Sequence, residues 1–203
     1  MLGPLSRQKR RFQLNLLVLD AEYNQPSRKT IQIGAAVFNA KSGLMIDSLE
    51  AYVNPNEPIN PEITTLTGIT DQDVKGGMSI IDAYGELKRL HAKHKCFRNP
   101  MVWGSGYSSD SLHIYQEFRE ASGLPKDEDY QQTGNFMGFR VIDAKTVYQS
   151  MQLFRESQYA GGLDKCMEKL GIKFEGQPHR ALSDAINTFR VWHHLMKVYE
   201  NGN

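Results

Sequence analysis

Three apolar or alternating stretches near the start of the chain predict half of a β-sheet. Residues 14 to 23 (LNLLVLDAEY) form an apolar run that ends abruptly in acidic residues, which is typical of a buried central strand. Residues 30 to 39 form a second run of this kind, and residues 44 to 54 alternate enough to favour a strand with one open face. Because short turn-forming segments join them, the three strands predict an antiparallel meander.

Beyond residue 55 the pattern becomes mainly helical. Residues 55 to 77 indicate a loop with short helical turns, and apolar residues then recur at helical spacing between residues 79 and 94. The pattern further predicts a strand at 100 to 104, a helix at 108 to 122 with Ser108 or Ser109 as N-cap, a strand and the start of a helix at 139 to 149, a helix at 161 to 172 closed by Gly171, and a long amphipathic helix from Ala181 to Tyr199. The order βββ-α-β-α-β-α-α predicts an α/β fold, a mixed sheet with helices on its faces.

Composition sets the domain organisation. A chain of 203 residues with 40% hydrophobic content suits one globular domain with a single core. We expect a flexible basic arm over residues 1 to 12 and one domain over residues 13 to 203. The polar segment from Gly123 to Gly138 predicts an exposed loop that serves as a lid or as part of a dimer contact.

Charge and cysteine content limit the classes of partner. Lys and Arg total 24 against 23 Asp and Glu, so the chain is less basic than a protein that holds nucleic acid by charge alone. Cys96 and Cys166 are far apart and have no zinc-site spacing, which favours two reduced thiols. No apolar run reaches transmembrane length and no secretory signal is present, so we expect no membrane association and a soluble, intracellular, cytoplasmic protein.

Two acidic residues at the end of the most apolar strand are the first candidates for chemistry. Asp20 and Glu22 are two positions apart, so on a strand both side chains point to the same face. Paired carboxylates repel each other and are costly to desolvate unless a cation lies between them. The pair therefore indicates a metal site, although a strand that simply ends in solvent would explain it too.

Three further residues indicate a metal site only when they are considered together with this pair. Asp110 alone suits the first turn of a helix, and His179 and Asp184 alone suit a capping histidine and a solvated acid. Hard divalent cations, however, prefer carboxylate oxygens, and two ions about 3.5–4 Å apart can clamp both the attacking and the leaving oxygen of a phosphodiester. Four acids meet this need, and histidine supplies a base that works near neutral pH.

These residues carry a resemblance to a known family. The chain resembles the DEDDh (DnaQ-like) 3′-5′ exonucleases of the ribonuclease-H-like superfamily, which include polymerase proofreading subunits, oligoribonuclease and ribonuclease T. The resemblance covers residues 14 to 198 and rests on D-x-E, the middle Asp and H-x-A-x-x-D, all in order. The segment at 54 to 74 (NPNEPINPEITTLTGITDQDV) is similar to the family's substrate-side loop. FRVIDAKTVYQ resembles the strand after the middle motif, where Asp143 would be structural.

The resemblance implies a ribonuclease-H-like fold, a mixed five-stranded sheet flanked by helices, and removal of mononucleotides from a free 3′ end. It implies two Mg²⁺ or Mn²⁺ ions, with Asp20 bridging both and with Glu22, Asp110 and Asp184 completing the sites. By the same resemblance, His179 would deprotonate the attacking water. A homodimer is compatible with it.

Substrate contacts are assigned partly by resemblance. Main-chain groups near Glu22 and Tyr23 would hold the terminal nucleotide, and Leu66, Gly68 and Ile69 would lie against its base and sugar. Tyr107 is a further candidate because it stands in a loop-like context.

The chain departs from the family pattern beside two motifs. Tyr23 and Asn24 replace the usual Thr and Gly, which exchanges a hydroxyl contact for a different group or an aromatic platform. Ser109 directly precedes Asp110, where an aromatic residue is usual, and Tyr107 is shifted. The departures concern substrate preference more than chemistry.

The sequence thus predicts a metal-dependent 3′-5′ exonuclease, a phosphodiester hydrolase acting on single-stranded DNA or RNA. Two alternatives stay open: a non-catalytic nucleic-acid-binding module on the same fold, and a nuclease specific for very short oligonucleotides. The sequence does not separate DNA from RNA.

Overall fold

A mixed sheet forms the centre of the computed structural model, which describes residues 14–104, 109–124, 134–156 and 161–202. Within these ranges the five strands are β1 Asn15–Tyr23, β2 Thr30–Asn39, β3 Met45–Tyr52, β4 Met101–Val102 and β5 Ile142–Asp143. Their order in the sheet is β3-β2-β1-β4-β5, with the first three antiparallel and β4 and β5 parallel to β1. The predicted meander and the predicted α/β fold class are confirmed.

Helices cover the sheet. In the described ranges they are α1 Pro61–Thr67, α2 Asp71–Lys75, α3 Ile80–Lys93, α4 Asp110–Ala121, α5 Ala144–Glu156, α6 Leu163–Lys169 and α7 Ala181–Asn201. The segment predicted as a loop with short helical turns contains two short helices, α1 and α2. Each has a side-chain cap: Asn60 accepts from the Glu62 N–H, and Thr70 forms a capping box with Asp73. Asp143 accepts from the Thr146 N–H at 2.9 Å, which supports a structural role at the start of α5.

Strand β1 separates two hydrophobic clusters. Leu17 and Leu19 pack on the face covered by α3 and α4, whereas Leu16 and Val18 pack against the face covered by α7. Because side chains alternate along a strand, Asp20 and Glu22 continue the row that faces α7. The acidic end of β1 therefore lies where the row of side chains that faces α7 changes from buried, at Leu16 and Val18, to half-buried, at Asp20 and Glu22.

Helix α7 begins almost in contact with the sheet. Asp20 pairs with Gly34 across β1 and β2, and a Cβ on Gly34 would lie 2.0 Å from the backbone nitrogen of Leu182. The fully buried Gln32, on the same strand, accepts from the Ala181 N–H at 3.0 Å and donates to Glu50 at 3.0 Å. Because Gly34 has no side chain and the buried Gln32 amide bonds to Ala181, the first turn of α7 lies beside the acidic end of β1.

Some sequence predictions fall outside the described residues, including the basic arm at residues 1 to 12, Tyr107 and the middle of the polar segment from 123 to 138. Cys96 and Cys166 are buried free thiols. Among helices in the described ranges, none combines the length and apolarity needed to cross a membrane.

Candidate active site

Three elements bring the four predicted acids together. Asp20 and Glu22 end β1, Asp110 is the first residue of α4, and Asp184 lies in the first turn of α7. Burial raises the pKa of Asp20 well above its usual range, and the charges of Asp110, Asp184 and Glu22 raise it further. Residues separated by up to 164 positions in sequence therefore act on one another as neighbours.

His179 stands at the solvent edge of this cluster. A carboxylate oxygen of Glu22, a carboxylate oxygen of Asp184 and a ring nitrogen of His179 all lie within 4.8 Å of one another. The backbone N–H of His179 donates to Asp184 Oδ2 at 3.2 Å, and His179 adopts a left-handed backbone with φ of 60°. His179 is thus an exposed residue whose ring nitrogen lies beside two carboxylates.

The negative charge of the buried carboxylates in this cluster exceeds the positive charge close to them. Burial, followed by the charges of Asp184 and Asp110, raises the pKa of Glu22 to about 8. Burial likewise raises the pKa of Asp110 to about 6 and that of Asp184 to about 6. Positive charge from Arg180 near Glu22 and from Arg28 near Asp110 offsets only part of this. Since desolvated acids of this kind either retain protons or bind cations, the donor set fits divalent metal ions with oxygen ligands.

The Tyr23 side chain, which the sequence predicts to contact substrate, is hydrogen-bonded to one of the four acids. Its hydroxyl donates to Asp110 Oδ1 at 2.7 Å. Burial, followed by the charge of Asp110, raises the pKa of Tyr23 well above its usual range, so the phenol remains a donor. Strand alternation puts Tyr23 on the opposite face from Glu22, but only the tertiary structure reveals that the first turn of α4 covers that face.

Gln32 is a second residue that the sequence did not reveal. A glutamine in the middle of an apolar strand is a visible anomaly, since buried polar side chains are hydrogen-bonded. Its partner, the Ala181 N–H, could not be identified before the position of α7 was known.

The predicted substrate residues occupy different environments. Leu66 is 51% exposed on α1, and Gly68 ends that helix with φ of 74°. A Cβ on Gly68 would lie 3.7 Å from Gln177 Nε2, so the end of α1 faces the loop that carries His179. The Ile69 side chain is fully buried, so any contact of this residue with a nucleotide would be made by its backbone.

A family model described as RNase_T, exonuclease, matches residues 17–192. This span contains all four acids and His179. A curated relative, the PolC-type DNA polymerase III of Bacillus subtilis (strain 168), is 34% identical over 56 residues. That match takes in 28% of this chain and 4% of the polymerase, so the chain corresponds to a small part of that protein.

Solved structures share the fold. The nuclease domain of 3′hExo, a DEDDh family member bound to rAMP, has a TM-score of 0.69 at 16% identity, covering 93% of this chain and 94% of that one. S. pombe Pop2p in its Mg²⁺- and Mn²⁺-bound form has a TM-score of 0.67 at 18% identity, covering 93% of this chain and 85% of that one. The ribonuclease-H-like architecture predicted from the motifs is confirmed.

Proposed function

This chain belongs to the RNase_T exonuclease family, and we propose that it hydrolyses single-stranded DNA or RNA from the 3′ end and releases nucleoside monophosphates. The observation that carries the proposal is the convergence of Asp20, Glu22, Asp110 and Asp184 at one end of β1, with His179 beside them. The family prediction made from the motifs is confirmed, whereas the direction of digestion, the substrate and the metal mechanism are proposals.

The four carboxylates would hold two divalent cations, Mg²⁺ or Mn²⁺. The raised pKa values of Glu22, Asp110 and Asp184 support this assignment, because these groups are buried with too little positive charge around them. Bound ions would stabilise the charge that develops on the attacking and leaving oxygens of the phosphodiester. Mg²⁺ and Mn²⁺ are the ions named for the fold relative Pop2p.

His179 would act as general base. Its exposed side chain lies next to Glu22 and Asp184, so a water molecule that approaches the carboxylates from solvent passes within reach of the ring. A neutral imidazole can accept the proton of that water as the oxygen attacks phosphorus. The hydrogen bond from the His179 N–H to Asp184 keeps the base and an acidic ligand in a fixed relation.

A terminal nucleotide would lie between the end of α1 and the carboxylates. Leu66 offers an exposed apolar surface there, and Gly68 leaves room beside Gln177. Apolar and stacking contacts of this kind accept any base, as a nuclease without sequence preference requires. One relative is a DNA polymerase, whereas one fold relative is bound to the ribonucleotide rAMP, so we propose that the substrate is DNA or RNA.

The test is a time course on 5′-labelled single-stranded DNA and RNA of matched sequence with Mg²⁺, Mn²⁺ or EDTA. We expect a metal-dependent ladder that shortens from the 3′ end, and we expect Asp20→Ala to abolish it while the circular dichroism spectrum stays unchanged. Retained binding of both strands with no shortening would overturn the proposal in favour of a binding module. Turnover confined to dimers through pentamers would identify an oligonucleotide-specific nuclease.

A further inference from the structure

We propose that Tyr23 is a positioning residue for metal binding, whose hydroxyl fixes one oxygen of Asp110 so that the other is presented to a cation. The inference rests on the proposed function, because it assigns Asp110 to the metal site. It gives Tyr23 a role different from the nucleotide contact expected from the sequence.

The first argument is the geometry of the hydrogen bond. The Tyr23 hydroxyl lies 2.7 Å from Asp110 Oδ1, a length typical of a phenol that donates to a carboxylate. Tyr23 is the last residue of β1 and Asp110 the first residue of α4, so the bond joins the strand that carries Asp20 and Glu22 to the helix that carries the third acid. A shift in either element would break it.

The second argument is that the phenol ring is itself held in place. The ring of Tyr23 meets the ring of His113 edge to face, with centroids 4.6 Å apart and an interplanar angle of 79°. His113 Nε2 lies 2.7 Å from the carbonyl oxygen of Arg28, and since a carbonyl can only accept, the histidine donates. Tyr23, the first turn of α4 and the β1–β2 connection therefore form a closed set of contacts around Asp110.

The consequence concerns the carboxylate. The terminal torsion of an aspartate side chain is broad and roughly two-fold, so either oxygen can face a cation unless a second group engages one of them. Here Oδ1 of Asp110 accepts from Tyr23, so Oδ2 is the oxygen that this hydrogen bond does not engage and the one that would bind a cation. Groups that orient metal ligands in this way typically contribute 10- to 100-fold to metal affinity or activity.

The bond also argues against Tyr23 as a stacking platform. A platform must offer its ring face, but the ring is half-buried, its hydroxyl is engaged by Asp110 and His113 packs against it. Removing the hydroxyl while keeping the ring therefore separates the two roles: a platform would tolerate Tyr23→Phe, whereas a positioning residue would not.

The experiment is a Mn²⁺ titration of the full chain, followed by the electron paramagnetic resonance signal of the free ion. We expect Tyr23→Phe to raise the Mn²⁺ dissociation constant roughly 10- to 100-fold, and Asp110→Ala to raise it at least as far. In the Asp110→Ala background, Tyr23→Phe should not raise the Mn²⁺ dissociation constant further, because the hydrogen-bond partner of the hydroxyl is gone.

In the nuclease assay, Tyr23→Phe should shift the metal concentration for half-maximal activity. Saturating metal should restore kcat, and KM for nucleic acid should stay unchanged.

Tyr84→Phe is the matched control. Tyr84 also has a buried hydroxyl, which donates to Asn135 at 3.3 Å, but it touches none of the four acids. We expect this variant to bind Mn²⁺ as the unaltered chain does, even where its thermal midpoint falls.

Unchanged Mn²⁺ affinity in Tyr23→Phe, with binding lost in Asp110→Ala, would overturn this inference alone. An unaltered chain that binds no Mn²⁺, or binding that survives Asp110→Ala, would overturn the metal site on which the proposed function depends and this inference with it.

Discussion

The side-chain oxygen of Gln32 accepts a hydrogen bond from the backbone N–H of Ala181 at 3.0 Å. Arg180, the N-cap residue of α7, makes no side-chain cap, so this bond satisfies a donor that the helix itself leaves unpaired. Glu50 accepts from the other end of the Gln32 amide and fixes its orientation. The start of the helix that carries Asp184 is thus held by a side chain from the sheet.

The first prediction follows from this bond. Gln32→Leu should lower the free energy of unfolding by about 1–3 kcal/mol, because the Ala181 N–H is left buried and unpaired. Activity should fall as well, since His179 and Asp184 flank that N–H. Urea denaturation and the nuclease assay measure the two effects. Gln72→Leu, at an exposed position of α2, is the control and should be close to neutral. Equal stability of the two variants would contradict the capping role.

A second prediction concerns the approach of α7 to Gly34. In Gly34→Ala the added Cβ would meet the Leu182 nitrogen at 2.0 Å, and backbone cannot give way as a flexible side chain can. We expect a loss of about 1–3 kcal/mol from overpacking and a displaced Asp184 with reduced activity. Gly85→Ala on α3, where nothing lies within 4 Å of the new Cβ, should instead stabilise the helix by about 0.5–1 kcal/mol. A stable, fully active Gly34→Ala variant would show that α7 can move without cost.

How far the sequence could predict the site depends on the kind of information each residue needed. Asp20 and Glu22 share a face because of strand alternation, which is local and readable. Asp110 and Asp184 could be joined to them only through the order and spacing of the family motifs, since nothing local indicates where α4 and α7 pack. Tyr23 was assigned to the substrate because the sequence does not show which helix covers its face of β1.

The substrate-side segment shows a different limit. The capping signals of α1 and α2 stand in the sequence as Asn60 before Pro61 and as Thr70 three residues before Asp73, so these helices could have been predicted in full. The environment of Ile69 could not, because an apolar residue suits the core and a nucleotide contact equally well. In the structure its side chain packs with Ile31 and Ile59.

The third prediction is a pH dependence of stability in the absence of metal. The pKa values of Asp110 and Asp184 are raised to about 6 and that of Glu22 to about 8, whereas unfolded carboxyls titrate near pH 4. The folded state therefore binds these protons more tightly than the unfolded state does. The cluster costs no stability below about pH 4, and its cost grows as the pH rises through 6 and towards 8.

Thermal unfolding in EDTA between pH 4 and pH 9 tests this dependence. Glu22→Gln should flatten the upper part of the decline, because a carboxyl whose pKa is raised to about 8 is removed. Mg²⁺ should raise the thermal midpoint more at pH 8 than at pH 5, since it competes with fewer protons for the carboxylates. At about 100 times its dissociation constant a bound ion contributes ~2.7 kcal/mol. A midpoint shift by Mg²⁺ that is independent of pH would contradict the role of these acids as ligands.

The last prediction separates the proposed base from the groups that hold the metal. His179 is exposed, so His179→Ala removes an imidazole that supports no core packing and should leave the thermal midpoint nearly unchanged. If the imidazole takes the proton of the attacking water, kcat should fall by roughly 10²–10⁴-fold while KM for nucleic acid changes little, because binding does not require the proton transfer. His193→Ala is the control, as this residue lies on α7 more than three turns further on and stacks on Phe189. Its loss should affect stability rather than kcat. A His179→Ala variant with undiminished kcat would assign the proton to another group, and Glu22, with its pKa raised to about 8, would be the next to test.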